Sequence, residues 1–265
     1  MNTSYLILAV VSFLITSIGF RYYIHFFSVG YGFAIAGLAL AMGIVFLPVL
    51  TLPTILMCVL LLGYGLRLGG YLLYRENKTP AYNQRVSGDI KDGNKVPFGV
   101  KFAIWISCAV LYLLMTCPIY FRLKLGASEF DLPAIVGLVL MVVGIWMEAW
   151  ADKQKSDAKK KNPGRFVDTG LYRFVRCPNY LGELLLWIGV FVSGFGYMTG
   201  WQWIPAILGL ILIFYVMLSG ARRLELRQNA SYSNAPEYQQ YVKTVPIILP
   251  FIPLYSVVKY KFLVA

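Results

Sequence analysis

Residues 164–183 read GRFVDTGLYRFVRCPNYLGE, and this stretch runs without a break into an apolar segment. Its first half has the composition of a water-exposed loop, whereas Asn179 and Glu183 stand where a hydrophobic helix begins. Burying such groups without a partner costs on the order of several kcal/mol, so polar groups that enter a membrane are candidates for function. The stretch therefore predicts polar chemistry at the mouth of a membrane-embedded cavity.

The rest of the chain has the composition of a membrane protein. Of its 265 residues, 58% are hydrophobic and only 14% are charged, and the mean hydropathy is +0.65. A soluble domain needs more polar surface than this. Apolar runs near the ~20 residues that cross a bilayer predict seven spans, at 5–20, 29–47, 51–74, 100–120, 132–151, 180–197 and 201–220. We expect an all-α, polytopic membrane protein that forms a single domain over residues 1–265.

The basic residues predict the orientation of these spans. Lys and Arg are retained on the cytoplasmic side of membranes, and the loops on one side of the predicted membrane carry only Arg122 and Lys124. We expect the N-terminus outside or in the lumen, with 5–20 as an uncleaved first span, and the C-terminus in the cytoplasm. The net charge of +12 then needs no nucleic acid, since a basic face suits anionic lipids or a phosphorylated cofactor. The membrane would be the endoplasmic reticulum in a eukaryote and the plasma or inner membrane in a bacterium.

The third predicted span carries polar and aromatic residues along one broad face. Tyr64, Arg67, Tyr71 and Tyr74 follow helical spacing, and an arginine near the middle of a span requires a carboxylate, carbonyl groups or an anion as partner. Glycines in the same segment allow close approach of a helix or a flat ligand. The arginine favours a functional interpretation over ordinary helix packing.

The fifth predicted span ends in a stripe of acidic residues. Glu148 and Asp152 are four residues apart and therefore share a helix face. Asp152 alone also fits a solvated helix end, paired with Lys155 or Lys159. Glu148 lies one turn deeper, where an unpaired carboxylate is costly, and this favours a site.

Histidine and cysteine give weaker signals. Among the four cysteines no CxxC pair occurs, and three of the four lie in predicted spans, so neither a disulfide nor a zinc site is indicated. His25 follows the first span among aromatic residues. An interfacial structural role is the favoured interpretation, because aromatic girdles are common at membrane boundaries.

Four segments together resemble the steroid 5α-reductase superfamily, especially its DUF1295 branch. They are GLRLGGYLLYRE at 65–76, EAWADKQK at 148–155, GLYRFVRCPNYLGE at 170–183 and EYQQYVKTVP at 237–246. The resemblance covers about residues 60–250. The wider superfamily shares the R-x-P-x-Y-x-G core with isoprenylcysteine and phospholipid methyltransferases, which bind S-adenosylmethionine in a similar pocket.

The resemblance implies NADPH as cofactor, bound by about residues 132–250. Asn179 and Glu183 match the residues that hold the nicotinamide end, and an amide with a carboxylate one turn later can satisfy both the donor and the acceptor of a carboxamide. Asp152 matches an acid that contacts the cofactor, and Glu148 stands where the steroid enzymes have an asparagine.

The other implied roles concern the phosphates and the substrate. Arg173, Arg176 and Lys159 would meet the pyrophosphate or the 2′-phosphate, and Arg223 joins this cofactor-binding set. Tyr71 would line the cofactor site, and Tyr64 would be the catalytic residue that polarises a substrate ketone. The expected function is a membrane-embedded, NADPH-dependent reductase that transfers hydride to an activated C=C bond of a steroid-, prenoid- or enoyl-lipid-like substrate. Its partners would be that lipophilic substrate and membrane lipids, without metal or nucleic acid.

Three departures from the family pattern concern the chemistry. Cys177 replaces the histidine of R-H-P-N-Y, and a thiol is not expected to do the same acid-base work. Glu148 replaces the asparagine of the steroid enzymes at a position next to the proposed cofactor site. The chain also has no Asp or Glu before Glu76, whereas the steroid enzymes pair the catalytic tyrosine with a glutamate of the second span; general acid-base contributions are typically ~10²–10⁴-fold.

Two alternatives stay open. The R-x-P-x-Y-x-G core favours an S-adenosylmethionine-dependent methyltransferase, although Glu183 and Asp152 do not fit that class. A non-catalytic lipid-binding membrane protein is supported by the missing second-span acid and by Cys177.

Overall fold

The computed structural model of the protein describes residues 3–78, 96–126 and 130–263, and within these ranges its regular structure is entirely helical. The α-helices are α1 Thr3–Thr16, α2 Val29–Val45, α3 Leu52–Lys78, α4 Phe98–Lys124, α5 Leu132–Lys161, α6 Pro178–Ser193, α7 Trp203–Tyr232 and α8 Pro236–Thr244. The all-α prediction is confirmed. Most of the hydrophilic stretch 75–95, whose composition predicts a connector or a lid, lies outside the described residues.

Six helical segments in the described ranges are long and apolar enough to cross a membrane. They are Thr3–Phe20, Tyr23–Val45, Leu52–Glu76, Phe98–Lys124, Leu132–Lys161 and Gly200–Tyr232. The remaining predicted span, 180–197, falls on α6, which has 16 residues, fewer than the ~20 that cross a bilayer. The multi-pass architecture is therefore as expected, while the count of seven stays a prediction.

The chain folds into two compact units, one of residues 1–138 with 190–209 and one of residues 139–189 with 210–265. In the first unit, α2 and α3 touch backbone to backbone. A Cβ at Gly32 would lie 2.5 Å from the Gly69 nitrogen, and one at Gly65 would lie 2.4 Å from the Gly32 oxygen. Small residues allow helices to approach this closely in a membrane, where hydrophobic driving force between helices is absent.

Polar side chains also cross-link the first unit. Trp105 Nε1 donates to the Phe13 carbonyl over 2.9 Å and thereby ties α4 to α1. Arg122, fully buried, donates to both oxygens of Asp131 over 3.1 and 2.8 Å. Its guanidinium stands 4.3 Å from the ring centre of Tyr197, whose hydroxyl donates to Asp131 over 2.7 Å. Arg122 is thus neutralised inside the unit.

The second unit is organised around the loop between α5 and α6. Phe166 in this loop forms a buried cluster with Tyr238 and Tyr241 of α8, and the Tyr241 hydroxyl donates to the Tyr172 carbonyl over 2.7 Å. The segment after α8 then returns along the loop, where backbone nitrogens of residues 176 and 177 donate to carbonyls of residues 246 and 247. The C-terminal motif EYQQYVKTVP is therefore a support for the RCPNY loop.

Candidate functional site

Four residues of the predicted cofactor site lie on two helices that touch, Glu148 and Asp152 on α5 and Asn179 and Glu183 on α6. A Cβ at Gly182 of α6 would lie 2.7 Å from the Glu148 nitrogen and 2.7 Å from the Gly144 oxygen of α5, and one at Gly144 would lie 2.5 Å from the Gly182 oxygen. The glycine of NYLGE, Gly182, is thus required for contact with α5. The contact brings Glu148 next to the residue that precedes Glu183.

The direction of this contact extends it to the other two residues. Gly144 meets Leu186, and Glu148, four residues later on α5, meets Gly182, four residues earlier on α6. The helices are therefore antiparallel, and one further turn brings Asp152 level with the start of α6, where Asn179 stands. Two carboxylates from α5 and an amide with a carboxylate from α6 follow the same seam.

Burial of these side chains differs with depth. Glu148 is 3% and Glu183 6% exposed, whereas Asp152 and Asn179 are half-buried. Buried carboxylates are expensive to keep unless they have partners. Along the seam, burial therefore decreases from Glu148 and Glu183 to Asp152 and Asn179.

The loop that precedes α6 is fixed to α5 by its side chains. Gln154 accepts a hydrogen bond from the Leu171 nitrogen over 2.9 Å, and the Tyr172 hydroxyl donates to the Ala151 carbonyl over 3.3 Å. These contacts give structural roles to Gln154 of the DKQK segment and to Leu171 and Tyr172 of GLYR. They hold the short 3₁₀ turn Gly170–Arg173 beside the helix that carries Asp152.

The predicted phosphate-binding residues have unlike surroundings. Arg173 and Arg223 are exposed, but Arg176 is 1% exposed. Its Nη2 donates to Glu225 over 2.9 Å and also to the Tyr255 carbonyl. Its Nε and Nη1 have no hydrogen-bond partner among the described residues. Arg176 is thus part of a buried ion pair and has donors left over.

Lys159 closes the turn after α5. Its ammonium donates to the carbonyls of Pro163 and Arg165 over 3.2 and 2.6 Å and to the Tyr232 hydroxyl over 2.7 Å. Cys177, in the RCPNY stretch, is 1% exposed, and burial raises the pKa of its thiol to about 12. This thiol is therefore protonated at neutral pH, the form that cannot act as a general base.

The predicted tyrosines belong to the first unit. Tyr64 of α3 is fully buried, and its hydroxyl lies 3.1 Å from the hydroxyl of Tyr31 on α2. Tyr71 is half-buried, and the guanidinium of Arg75 stands 5.5 Å from its ring centre. Sequence reasoning did not find Tyr31, because one helix's periodicity carries no information about the helix packed against it.

His25 has a partner that sequence reasoning also missed. Its Nε2 lies 2.8 Å from Glu76 Oε2, and both residues are buried. The pair joins residues 51 positions apart. The available signal was Glu76 itself, the first acid in the chain, because a carboxylate at the end of an apolar helix requires a cation or a donor.

An open apolar cavity of about 230 Å³ lies in the second unit. Its walls come from α5, the loop, the start of α6 and the C-terminal segment, and they are Met147, Leu171, Phe174, Val175, Pro178, Leu181, Pro250 and Phe251. The lining is almost wholly apolar, which suits an alkyl chain. No group of three or more metal-ligating residues was found within the described ranges.

Comparison with known proteins identifies relatives. The model of the family described as "Protein of unknown function (DUF1295)" matches residues 13–245. Steroid 5-alpha-reductase DET2 of Gossypium hirsutum is 30% identical over 138 residues, which are 51% of each chain. The protein of the same name from Arabidopsis thaliana is 28% identical over 120 residues, 44% of this chain and 41% of the relative. The chain thus spans about half the length of these relatives, and no solved structure matches it.

Proposed function

The chain belongs to the DUF1295 family, and on that premise we propose that it is a membrane-embedded, NADPH-dependent reductase that acts on an activated C=C bond of a lipophilic substrate. The similarity to two proteins named steroid 5-alpha-reductase supports a membrane reductase of that superfamily. A multi-pass helical architecture and a largely apolar cavity support a substrate that arrives from the bilayer.

The observation that carries the cofactor proposal is the seam between α5 and α6. Glu148 and Asp152 on one helix and Asn179 and Glu183 on the other follow a backbone contact that Gly182 makes possible. A carboxamide presents one acceptor and two donors. Asn179 supplies a donor and an acceptor and Glu183 supplies acceptors, so the pair can hold a nicotinamide carboxamide and fix the ring's orientation. Bound NADPH supplies the hydride.

The cationic residues form the second half of the proposed cofactor site. Arg173 and Arg223 are exposed and free to meet phosphate oxygens with forked donors. Arg176 offers its remaining Nε and Nη1 donors but is held by Glu225. Lys159, which caps the turn after α5, adds positive potential. Tyr71 stays a predicted cofactor-binding residue.

Tyr64 is the proposed acid of the reaction. A phenol is a hydrogen-bond donor, and the Tyr64 hydroxyl can donate to the substrate oxygen that gains charge when hydride reaches the conjugated carbon. A donor aimed at developing charge in a dry site is worth more than the same donor in water. The membrane interior meets that condition.

Ligand-induced stabilisation tests this proposal. The detergent-purified protein is heated with NADPH, NADH or S-adenosylmethionine, because a ligand that binds only the folded state stabilises it by about 2.7 kcal/mol at 100 times its Kd. We expect NADPH to stabilise the protein. Glu183→Gln and Asn179→Ala should each weaken the effect by at least tenfold in affinity, about 1.4 kcal/mol.

Asp157→Asn is the matched control. Asp157 lies on the same helix as Asp152 but pairs on the surface with Lys153 over 2.8 Å, so its loss should leave NADPH binding intact. Stabilisation by S-adenosylmethionine instead of NADPH would overturn the reductase proposal in favour of methyl transfer. No response to any of the three would favour a non-catalytic lipid-binding protein.

A further inference from the structure

Tyr31 stands out in α2 because it is the only residue of that helix with a polar side chain. The other residues of Val29–Val45 are aliphatic, glycine, phenylalanine or methionine. Tyr31 is 7% exposed, so its hydroxyl is withdrawn from lipid. A single hydroxyl kept inside an apolar helix requires a hydrogen-bond partner.

The partner is the residue proposed above as the acid. The hydroxyls of Tyr31 and Tyr64 are 3.1 Å apart, and each tyrosine immediately precedes a glycine at the contact between α2 and α3. A Cβ at Gly65 would lie 2.4 Å from the Gly32 oxygen, so the two helix backbones are in direct contact next to the phenols. The backbone contact fixes the two phenols relative to each other.

Tyr31 is itself oriented by a third tyrosine. The ring centres of Tyr31 and Tyr112 are 5.1 Å apart, and the Tyr112 hydroxyl donates to the Phe26 carbonyl over 2.6 Å. Tyr112 is thereby anchored to the backbone, and its ring limits the rotation of Tyr31. The Tyr31 hydroxyl is held on the Tyr64 oxygen by packing as well as by the hydrogen bond.

We propose that Tyr31 is a positioning residue that donates its hydrogen bond to the Tyr64 oxygen while Tyr64 gives its proton to the substrate. This rests on the proposed function. NADPH, when bound, would supply the hydride for the new C–H bond. As the C=C electron pair moves to the carbonyl oxygen, the Tyr64 O–H bond would break to protonate that oxygen. Tyr64 has one proton, so Tyr31 must be the donor between the two phenols at that moment.

The physical role of this donor is to stabilise the phenolate left on Tyr64. A buried anion without a donor is costly. No Asp or Glu precedes Tyr31 in the chain, and the basic side chains before it are Arg21 and His25. A hydrogen bond to a charged group contributes more than one between neutral groups. Tyr31 supplies this hydrogen bond from α2, a helix that contains no charged residue. Water then returns a proton to Tyr64.

The test measures Tyr64 directly and needs no substrate. A fluorinated tyrosine, chosen because its phenol ionises where the protein stays folded, is incorporated at position 64 of the full chain, and its ionisation is followed by ¹⁹F NMR. We expect Tyr31→Phe to raise the ionisation midpoint by about one pH unit or more. Tyr120→Phe is the matched control, because Tyr120 is also buried but its hydroxyl pairs with Ser4 over 3.2 Å; it should leave the midpoint unchanged.

An unchanged midpoint in Tyr31→Phe would overturn the inference, as would an equal rise in Tyr120→Phe. If Tyr31→Phe does not fold, Tyr31→Gln keeps an N–H donor on α2. A midpoint near that of the unaltered protein then supports the inference, and a rise of a unit or more contradicts it. Failure of NADPH to stabilise the protein would contradict the proposed function. The ionisation midpoint at position 64 would still show whether Tyr31 donates to Tyr64.

Discussion

At the scale of single residues, Arg173 and Arg176 lie in opposite environments although only three positions separate them. Arg173 is exposed, and Arg176 is buried against Glu225, whose second oxygen accepts from the Val257 nitrogen over 2.9 Å. Glu225 therefore joins the RCPNY loop, α7 and the C-terminal segment. The charge of Arg176 therefore has a structural role, which is to pair with Glu225.

This pair predicts a large effect on stability. Glu225→Ala should lower the free energy of unfolding by about 3–5 kcal/mol, because it leaves Arg176 buried without its carboxylate. Denaturant unfolding of the purified protein measures it. Asp157→Ala removes an exposed pair and should change little. Equal unfolding free energies for Glu225→Ala and the unaltered protein would contradict the assigned role.

Cys177 gives a prediction about reactivity. Burial raises the pKa of its thiol to about 12, and the thiolate is the reactive form, so maleimide at neutral pH should leave Cys177 unmodified in the native protein. All four cysteines are buried and free, and all should react after denaturation. Mass spectrometry after each treatment measures which cysteines carry maleimide. Rapid labelling of Cys177 in the native protein would show that the RCPNY loop opens.

Sequence reasoning identified polar residues that lie within apolar segments, but it missed the residues that contact them. Glu148, Glu183 and Tyr64 are buried as their positions in apolar helices led us to expect. Tyr31 and the His25–Glu76 pair appear only in the structure, since each contact joins two segments that are separate in the sequence. The cofactor roles of the named residues stay predictions.

At the scale of elements, glycine spacing was a partial guide. The glycines of the third span predicted a close approach, and Gly65 and Gly69 do meet α2, but a Cβ at Gly63 or Gly70 would meet nothing within 4 Å. The contact between Gly144 and Gly182 was not predicted. Hydropathy located the apolar runs but not the helix ends. Helix α5 continues to Lys161 and α7 to Tyr232, and the last turns of both helices are polar, so a search for apolar runs does not include them.

The α5–α6 contact predicts a sharp difference between two Gly→Ala changes. Gly182→Ala should destabilise the protein by about 1–3 kcal/mol, because its Cβ would press on backbone atoms 2.7 Å away, and it should weaken stabilisation by NADPH. Gly63→Ala, with open space around it, should be neutral or stabilising by up to about 1 kcal/mol from helix propensity. Thermal unfolding with and without NADPH compares them. Equal behaviour would contradict the assigned seam.

At the scale of the whole molecule, charge distribution is the main guide to orientation. Of the two basic residues on the predicted charge-poor side, Arg122 is paired with Asp131 inside the first unit. The pairing could not be predicted, because it depends on how the end of α4 meets the segment before α5. The orientation itself stays a prediction from the Lys and Arg counts.

Reporter fusions test the predicted orientation. A C-terminal fusion to a reporter active only in the cytoplasm should be active, because basic residues are retained on that side. A fusion after Lys124 should be inactive, since that loop is expected on the opposite side. The reverse pattern would contradict the topology and with it the access of a cytosolic cofactor to Asn179 and Glu183.

The central claim is that the protein passes a hydride from NADPH to a lipophilic C=C bond. The most direct measurement incubates the nanodisc-embedded protein with NADPH deuterated at the transferable position and with 3-keto-4-ene steroids, polyprenals and 2-enoyl lipids, and follows the products by mass spectrometry. We expect one substrate class to gain a deuterium from the cofactor and a hydrogen from solvent, and Tyr64→Phe to slow this by about 10²-fold or more. Absence of deuterium from all three classes, in a protein that NADPH stabilises, would contradict the reductase assignment.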